Sequence, residues 1–291
     1  HQAFQETHGL PEVWKTGDMG EQSDLVRAVM EKHKNVFFIT GHLHGGIFEK
    51  IAEKDGYTAG IVSGYCITVC GADTKYVTFQ YGYLTTKKQE RQIDKRVKKV
   101  VKQIGKGSRA VRIKKAHDYL IRHMTYDERY YNPYHAFVKG KGMCMSYALA
   151  FQRILQEMKI PCIYVKGKNH AWNMVKIGKY WYNVDVTWDD PIADRAGYVS
   201  HLYFLTSDSK IADKVATSYQ LRTCDDTSYD NAWWTSASSA IFYDNGNEYY
   251  LKTTNENTTS QKINLICRTG NTEKTICTKT IRIPMRTPNG C

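Results

Sequence analysis

The chain has 291 residues, 42% hydrophobic and 24% charged, with a formal net charge of +12. That length holds two domains, or one with appendages, and the composition excludes a disordered or fibrous protein. No apolar run approaches the ~20 residues a membrane-spanning helix needs. The eight cysteines lack paired C-x-x-C spacing, which argues against a structural zinc. The chain starts at His1 without a methionine and shows no secretory leader, a start compatible with a leader upstream.

Residues 1–83 read as a unit of their own. Leu25 to Met30 predicts a helix, and Asn35 to Thr40 a buried strand running into Gly41, His42, Leu43, His44 and Gly45. Two imidazoles at a strand tip can ligate a metal. Together with His1, this stretch resembles the C-terminal part of a calcineurin-like metallophosphoesterase, and residues 64–69 and 76–79 continue the likeness as strands. The resemblance implies metal binding by His1, His42 and His44. That family's upstream aspartates have no counterpart, however, and three histidines without bridging carboxylates make a poor two-metal clamp. The expectation is a truncated α/β remnant, with at most an adventitious divalent ion at His42 and His44.

Two amphipathic helices follow. Ile93, Val97, Val100, Val101 and Ile104 share a face over 87–104, and Ile113, His117, Leu120, Ile121 and Met124 share one over 110–124, with Ser108 as N-cap. His117, on a core-facing stripe, is expected to be a packed or hydrogen-bonded group rather than a catalytic one. The positive charge is concentrated here: Lys87, Lys88, Arg91, Lys95, Arg96, Lys98, Lys99, Lys102, Lys106, Arg109, Arg112, Lys114 and Lys115 face only Glu90 and Asp94. The plain expectation is a solvated helix face, and the sharper one a docking face for an anionic cell-envelope polymer. Without interleaved aromatics or a nucleic-acid motif, no nucleic-acid partner is expected. The loop around Asn132 and Tyr134 approaches the next helix and could line a substrate cleft.

That helix carries the residue on which the chemistry turns. Gly140 and Gly142 suit a tight approach, and Cys144 falls in the first turn of a helix whose apolar face is Tyr147, Phe151, Ile154, Leu155 and Met158. There the positive end of the helix dipole favours a thiolate, the nucleophile acyl transfer needs. Next come a short strand from Cys162 and two β-rich runs, His170–Ile177 and Tyr180–Trp188, joined by Gly178-Lys179 as a type II′ hairpin turn. If Ile177 pairs with Tyr180, His170 lies opposite Thr187 and Trp172 opposite Asp185. His170 and Asp185 are then diagonal neighbours on one face, a parity that any even loop length preserves. A nucleophile, an imidazole and an orienting carboxylate can therefore converge.

Residues 84–232 resemble the bacterial branch of the transglutaminase-like superfamily, with its papain-like core. The resemblance rests on Gly142–Ala148, His170–Trp172 and Trp181–Pro191, supported by His117–Leu120 and by Tyr126 with Asp127. It implies Cys144, His170 and Asp185 as the catalytic residues and a thiol acyl-enzyme that needs no cofactor. Whether the acceptor is water or an amine is left open. Trp172 and Trp188 are expected to flank the site and shield it from water. His201 is a rival base, set aside because no carboxylate lies at matching spacing.

From 233 the composition shifts to Ser, Thr, Asn and Tyr, and β-rich runs separated by Asn-Gly signals predict a small β module over 233–291. Cys267 and Cys277 could close a hairpin there. The expected fold class is α+β: a papain-like core with its cysteine helix packed on an antiparallel sheet over 84–232, a partial α/β segment over 1–83, and the C-terminal β module. The expected function is thiol-dependent acyl transfer on a protein or peptide substrate, as a peptidase, amidase or cross-linking enzyme. Rivals are a non-catalytic bacterial envelope-binding protein and a metal-dependent phosphoesterase. An extracellular or cell-envelope location is favoured over the cytoplasm.

Overall fold

The computed structural model describes residues 57–58, 60–70, 76–167, 169–192, 197–211, 222–257 and 260–282. The expected N-terminal helix and strand, and the candidate metal ligands His1, His42 and His44, lie outside them. The chain divides into two compact units, His1–Leu84 and Thr85–Cys291. In the first, β1 (Val62–Cys70) and β2 (Tyr76–Tyr83) pair as an antiparallel ribbon.

The second unit is α+β. Its first helix, α1 (Lys87–Ile104), starts at a capping box in which the Thr86 hydroxyl accepts from Gln89 N–H and the Gln89 side chain accepts from Thr86 N–H. It buries Ile93, Val97, Val100 and Ile104. Helix α2 (Arg109–His123) starts on Ser108, whose hydroxyl accepts from Val111 N–H, as the sequence predicts. Two short strands, β3 (Thr125–Tyr126) and β4 (Lys141–Gly142), pair in parallel ahead of helix α3 (Cys144–Glu157), which packs on β5 (Cys162–Lys166) and β6 (Ala171–Ile177). These strands continue through β7 (Tyr180–Val184) to the short β8 (Phe204–Thr206), giving an antiparallel sheet ordered β5-β6-β7-β8.

The sheet has two faces because side chains alternate along each strand. Val175, Tyr182 and Val184 join α1, α2 and α3 in the main core, with Phe151, Ile154 and Leu155 at its centre. Ile163, Val165, Trp172 and Met174 form a second cluster with Cys224. Ile177 pairs with Tyr180, and Gly178 takes φ +60° while Lys179 keeps a negative φ, the signature of a type II′ turn.

β7 ends sooner than its β-rich run suggests. Asp185 Oδ1 accepts from the backbone N–H groups of Thr187 and Trp188 at 3.1 and 3.0 Å, which closes a turn in place of a ladder. Lys114 is a second departure: only 3% exposed, it lies 4.4 and 4.0 Å from the ring centres of Trp233 and Trp234 rather than on the solvated face.

Beyond 233 a second antiparallel sheet runs β12-β11-β10-β9: β9 (Phe242–Asp244), β10 (Asn247–Asn257), β11 (Ser260–Thr269) and β12 (Thr272–Arg282). Asn245 and Gly246, both at positive φ, form the expected Asn-Gly turn. Ile241, Tyr250 and Ile266 from this segment lie in the same buried cluster as the three helices. Cys267 and Cys277 are free thiols; Cys277 pairs across the ladder with Leu265, and Cys267 with Lys274.

Ile154 is fully buried at the centre of the main core. Ile154→Ala is expected to lower stability by ~2–5 kcal/mol, read from the shift in urea midpoint; a loss below ~1 kcal/mol would contradict this packing.

Candidate active site

Three separate pieces of local structure bring Cys144, His170 and Asp185 together. Cys144 is the first residue of α3, after a loop whose two glycines have no room for a side chain. Gly140 sits at φ +64°, where a Cβ would lie 2.8 Å from the His123 carbonyl oxygen, and a Cβ on Gly142 would lie 2.3 Å from Ser146 Cβ. The loop is pinned by parallel pairing of Thr125 with Lys141 and Tyr126 with Gly142, and by Met143 N–H donating to Tyr130 O. At this first helical position the Cys144 N–H has no intrahelical acceptor.

His170 immediately precedes β6 and Asp185 immediately follows β7. The register from Asn173–Val184 to Ile177–Tyr180 is the one the sequence predicts. His170 Nε2 meets Asp185 Oδ2 at 2.5 Å, and the Cys144 sulfur lies close enough to the His170 ring to favour its charged form. Since Nε2 faces the carboxylate, Nδ1 is the nitrogen left for the sulfur. Trp188 stacks on the imidazole with centroids 4.6 Å apart and an interplanar angle of 9°. Burial by itself lowers the His170 pKa, but Asp185 and Cys144 outweigh it and raise the ring to about 9. Burial leaves the Asp185 carboxyl above its ordinary value, with the His170 bond and the Trp188 N–H pulling the other way.

A cavity of about 360 Å³ opens onto this group, lined by Tyr126, His170, Thr187, Trp188, Asp190, Pro191 and Ile192. Cys144 keeps 7% of its surface exposed. Of the three aromatics expected at a cleft, Trp188 lines this cavity. Trp172 is 1% exposed, with its indole N–H donating to Asn183 Oδ1 at 3.0 Å. Tyr134 packs against His135 with ring centroids 5.9 Å apart and is not among the lining residues. Tyr126 is a wall residue that sequence reasoning did not single out as one. The signal that could have found it is the two-residue strand it forms against the glycine loop.

His201 does have a carboxylate, contrary to expectation: its Nε2 lies 2.8 Å from Asp118 Oδ1 on α2. It is fully buried and belongs to a different network. His117, also fully buried, bonds Asp118 and Asp189, each at 3.0 Å. One atom each from His117, Asp118 and His201 lie within 4.8 Å of one another, the reach of a metal-ligand set. The pairs between them stand at hydrogen-bond distance from complementary partners, and of the three side chains only His201 keeps a buried polar atom, Nδ1, without one. Burial disfavours the charged His117 ring, but its two carboxylate partners more than compensate and hold it up to about 9. Burial likewise opposes the Asp118 carboxylate, yet His201 and His117 keep it well below the usual range.

Residues 98–186 match the transglutaminase-like superfamily. The chain therefore carries a transglutaminase-like segment. It is similar to a solved TGase, at 16% identity and TM-score 0.33 over 46% of this chain and 47% of that one. It is also similar to a candidate cysteine protease from Cytophaga hutchinsonii, at 14% identity and TM-score 0.30 over 68% of this chain and 54% of that one. The chain thus spans about half the length of these solved structures. No curated protein matches it. Among the described residues, no helix is long and apolar enough to cross a membrane.

The two raised histidines set a pH dependence. A group whose folded pKa exceeds its unfolded value contributes stability below the unfolded pKa and loses it as pH rises through the folded one. For His117 and His170 that window runs from 6.5 to about 9. Lys114, which burial holds down to about 8, opposes the trend only above that point. The urea midpoint is therefore expected to fall on raising pH from 6.5 towards 8; a flat or rising midpoint there would contradict the two charged rings.

Proposed function

We propose that the chain catalyses thiol-dependent acyl transfer on a peptide or glutamine carboxamide, with Cys144 as nucleophile. The observation carrying this reading is the His170 ring, bonded to Asp185 at 2.5 Å through Nε2 with the Cys144 sulfur close by. Cys144 Sγ, its proton already resting on His170 Nδ1, forms a bond to the carboxamide carbon. The resulting oxyanion meets the unpaired N–H of Cys144 at the helix start. The carbon–nitrogen bond then breaks, and His170 returns the proton to the leaving amine or ammonia. Water or a second amine attacks the thioester, His170 takes its proton, and the thiol is released. Asp185 fixes the tautomer and stabilises the imidazolium throughout. These steps need only side chains and backbone, so the reading requires no cofactor. Trp188, stacked on the ring, keeps one of its faces dry.

A protein or peptide fits as the substrate class. As part of the same reading we assign α1 to docking on an anionic cell-envelope polymer, and with it propose a location in the cell envelope or outside the cell. Lys87, Arg91, Lys95, Lys98 and Lys102 recur at helical spacing and are all exposed. The helix's two acids are already engaged, Glu90 by the Thr85 hydroxyl and Asp94 by Arg153 at 2.7 Å. Its solvent-facing charge is therefore predominantly positive, which suits a polyanion. Binding to purified cell-wall material is expected to weaken with added salt and with Lys95, Lys98 and Lys102 changed to Gln; binding indifferent to both would remove the docking assignment.

Mass spectrometry of a glutamine-containing peptide, with and without a primary amine, tests the chemistry. Glutamate formation reports water as acceptor, an amine adduct reports cross-linking, and backbone cleavage reports a peptidase. Cys144→Ala is expected to abolish every product, and Asp185→Asn to lower kcat by roughly 10²-fold or more with KM little changed. Products that persist in Cys144→Ala would overturn the proposal.

A further inference from the structure

Four residues beyond Asp185, a second set of ionisable side chains holds the same turn. The His117 ring of α2 has no solvent exposure and contacts a carboxylate at each nitrogen, Asp118 Oδ1 through Nδ1 and Asp189 Oδ2 through Nε2, both at 3.0 Å. Ionised carboxylates only accept hydrogen bonds, so both nitrogens carry hydrogen and the ring is a cation held between two anions. Asp118 Oδ1 also accepts from His201 Nε2 at 2.8 Å, and its Oδ2 from Ile241 N–H at 2.8 Å. Asp189 turns Oδ1 to the Ser200 hydroxyl at 2.8 Å and to Tyr203 N–H at 3.1 Å. Among the described residues, the titratable groups meeting the ring are Asp118, Asp189 and His201, and Phe204 covers it at 4.9 Å between centroids.

This cluster reaches Asp185 through the backbone. Asp189 N–H donates to Asp185 O at 3.2 Å, and Asp185 N–H donates to Tyr203 O at 3.0 Å. Both backbone bonds of Asp185 thus end on residues that the Asp189 carboxylate organises. We infer that His117 is a positioning residue: by tying Asp189 to α2 it fixes the Asp185–Asp189 turn in the setting where Asp185 meets His170. The inference rests on the thiol reading above and extends it to a residue that does not line the cavity. An orienting carboxylate must be held to within about 0.5 Å. A buried charge pair suits that task, because opening it strands a charge without solvent.

The test is the rate of Cys144 alkylation by iodoacetamide as a function of pH, followed by peptide mass mapping, in wild type, Asp189→Asn and His117→Gln. Asp189→Asn is the milder change, since it leaves His117 paired with Asp118 and an oxygen facing Ser200 and Tyr203. Near-ultraviolet circular dichroism and the melting temperature establish that each variant is folded. A ring less firmly held by Asp185 is a weaker acceptor for the thiol proton. The acid limb of the alkylation profile is therefore expected to move to higher pH by about one unit, a roughly tenfold slower reaction at mildly acidic pH. Folded variants that melt lower but keep the wild-type acid limb would show a merely structural role and overturn the inference. A wild type that alkylates no faster than a free thiol at that pH would instead overturn the thiol reading itself. The unaltered chain supplies a check independent of any variant's folding. Histidine ring nitrogen NMR is expected to show both His117 nitrogens protonated at neutral pH, and a bare nitrogen there also overturns the inference.

Discussion

The hydrogen bond between His170 and Asp185 is the contact on which the site depends, and it is a consequence of strand register. The two residues flank a hairpin whose turn, Gly178-Lys179, sets Ile177 against Tyr180. That pairing brings the open end of the hairpin together, where His170 just before β6 meets Asp185, which has left the ladder to close its own turn just after β7. The sulfur arrives by another route, through a glycine loop that closes on the start of α3 only where Gly140 and Gly142 carry no Cβ. Two local devices, a type II′ turn and a glycine loop, thus converge on one ring beside both a carboxylate and a thiol.

The elements around this contact keep it fixed. Asn173, on the face of β6 turned towards α3, donates to Ala148 O at 3.1 Å, anchoring the cysteine helix to the strand that His170 leads into. Asp185 divides its oxygens, Oδ2 to His170 and Oδ1 to the N–H groups of Thr187 and Trp188, so the carboxylate cannot rotate without losing several bonds at once. Trp188, positioned by that same turn, stacks on the imidazole. Orientation and desolvation at His170 therefore derive largely from the six residues from Asp185 to Asp190.

Much of this was legible in the sequence because it is local. Helical spacing identified the faces of α1, α2 and α3, Ser108 marked a helix start, and Gly178-Lys179 and Asn245-Gly246 marked turns. The expected His170–Asp185 encounter is present, although the pairs of His170 with Thr187 and Trp172 with Asp185 on which it was argued are not, because the ladder ends at Asn173–Val184. What escaped is long-range. Asp118 lies 83 residues from His201, and His117 lies 72 residues from Asp189, separations no periodicity can bridge. The same limit hid the Trp233 and Trp234 rings that receive Lys114, making a residue read as part of a basic surface a buried one. The early end of β7 escaped for another reason: a β-rich composition describes side chains that suit a strand, while the Asp185 side chain competes for the backbone donors that would extend it.

The measurement that reaches the central claim most directly is an NMR pH titration of the His170 ring in wild type, Cys144→Ser and Asp185→Asn. If sulfur, ring and carboxylate are neighbours, the wild-type ring titrates near 9. It should fall in Cys144→Ser and fall further in Asp185→Asn, where burial then acts largely unopposed. A ring that titrates near 6.5 in all three proteins would mean that neither partner reaches it, and would contradict the account.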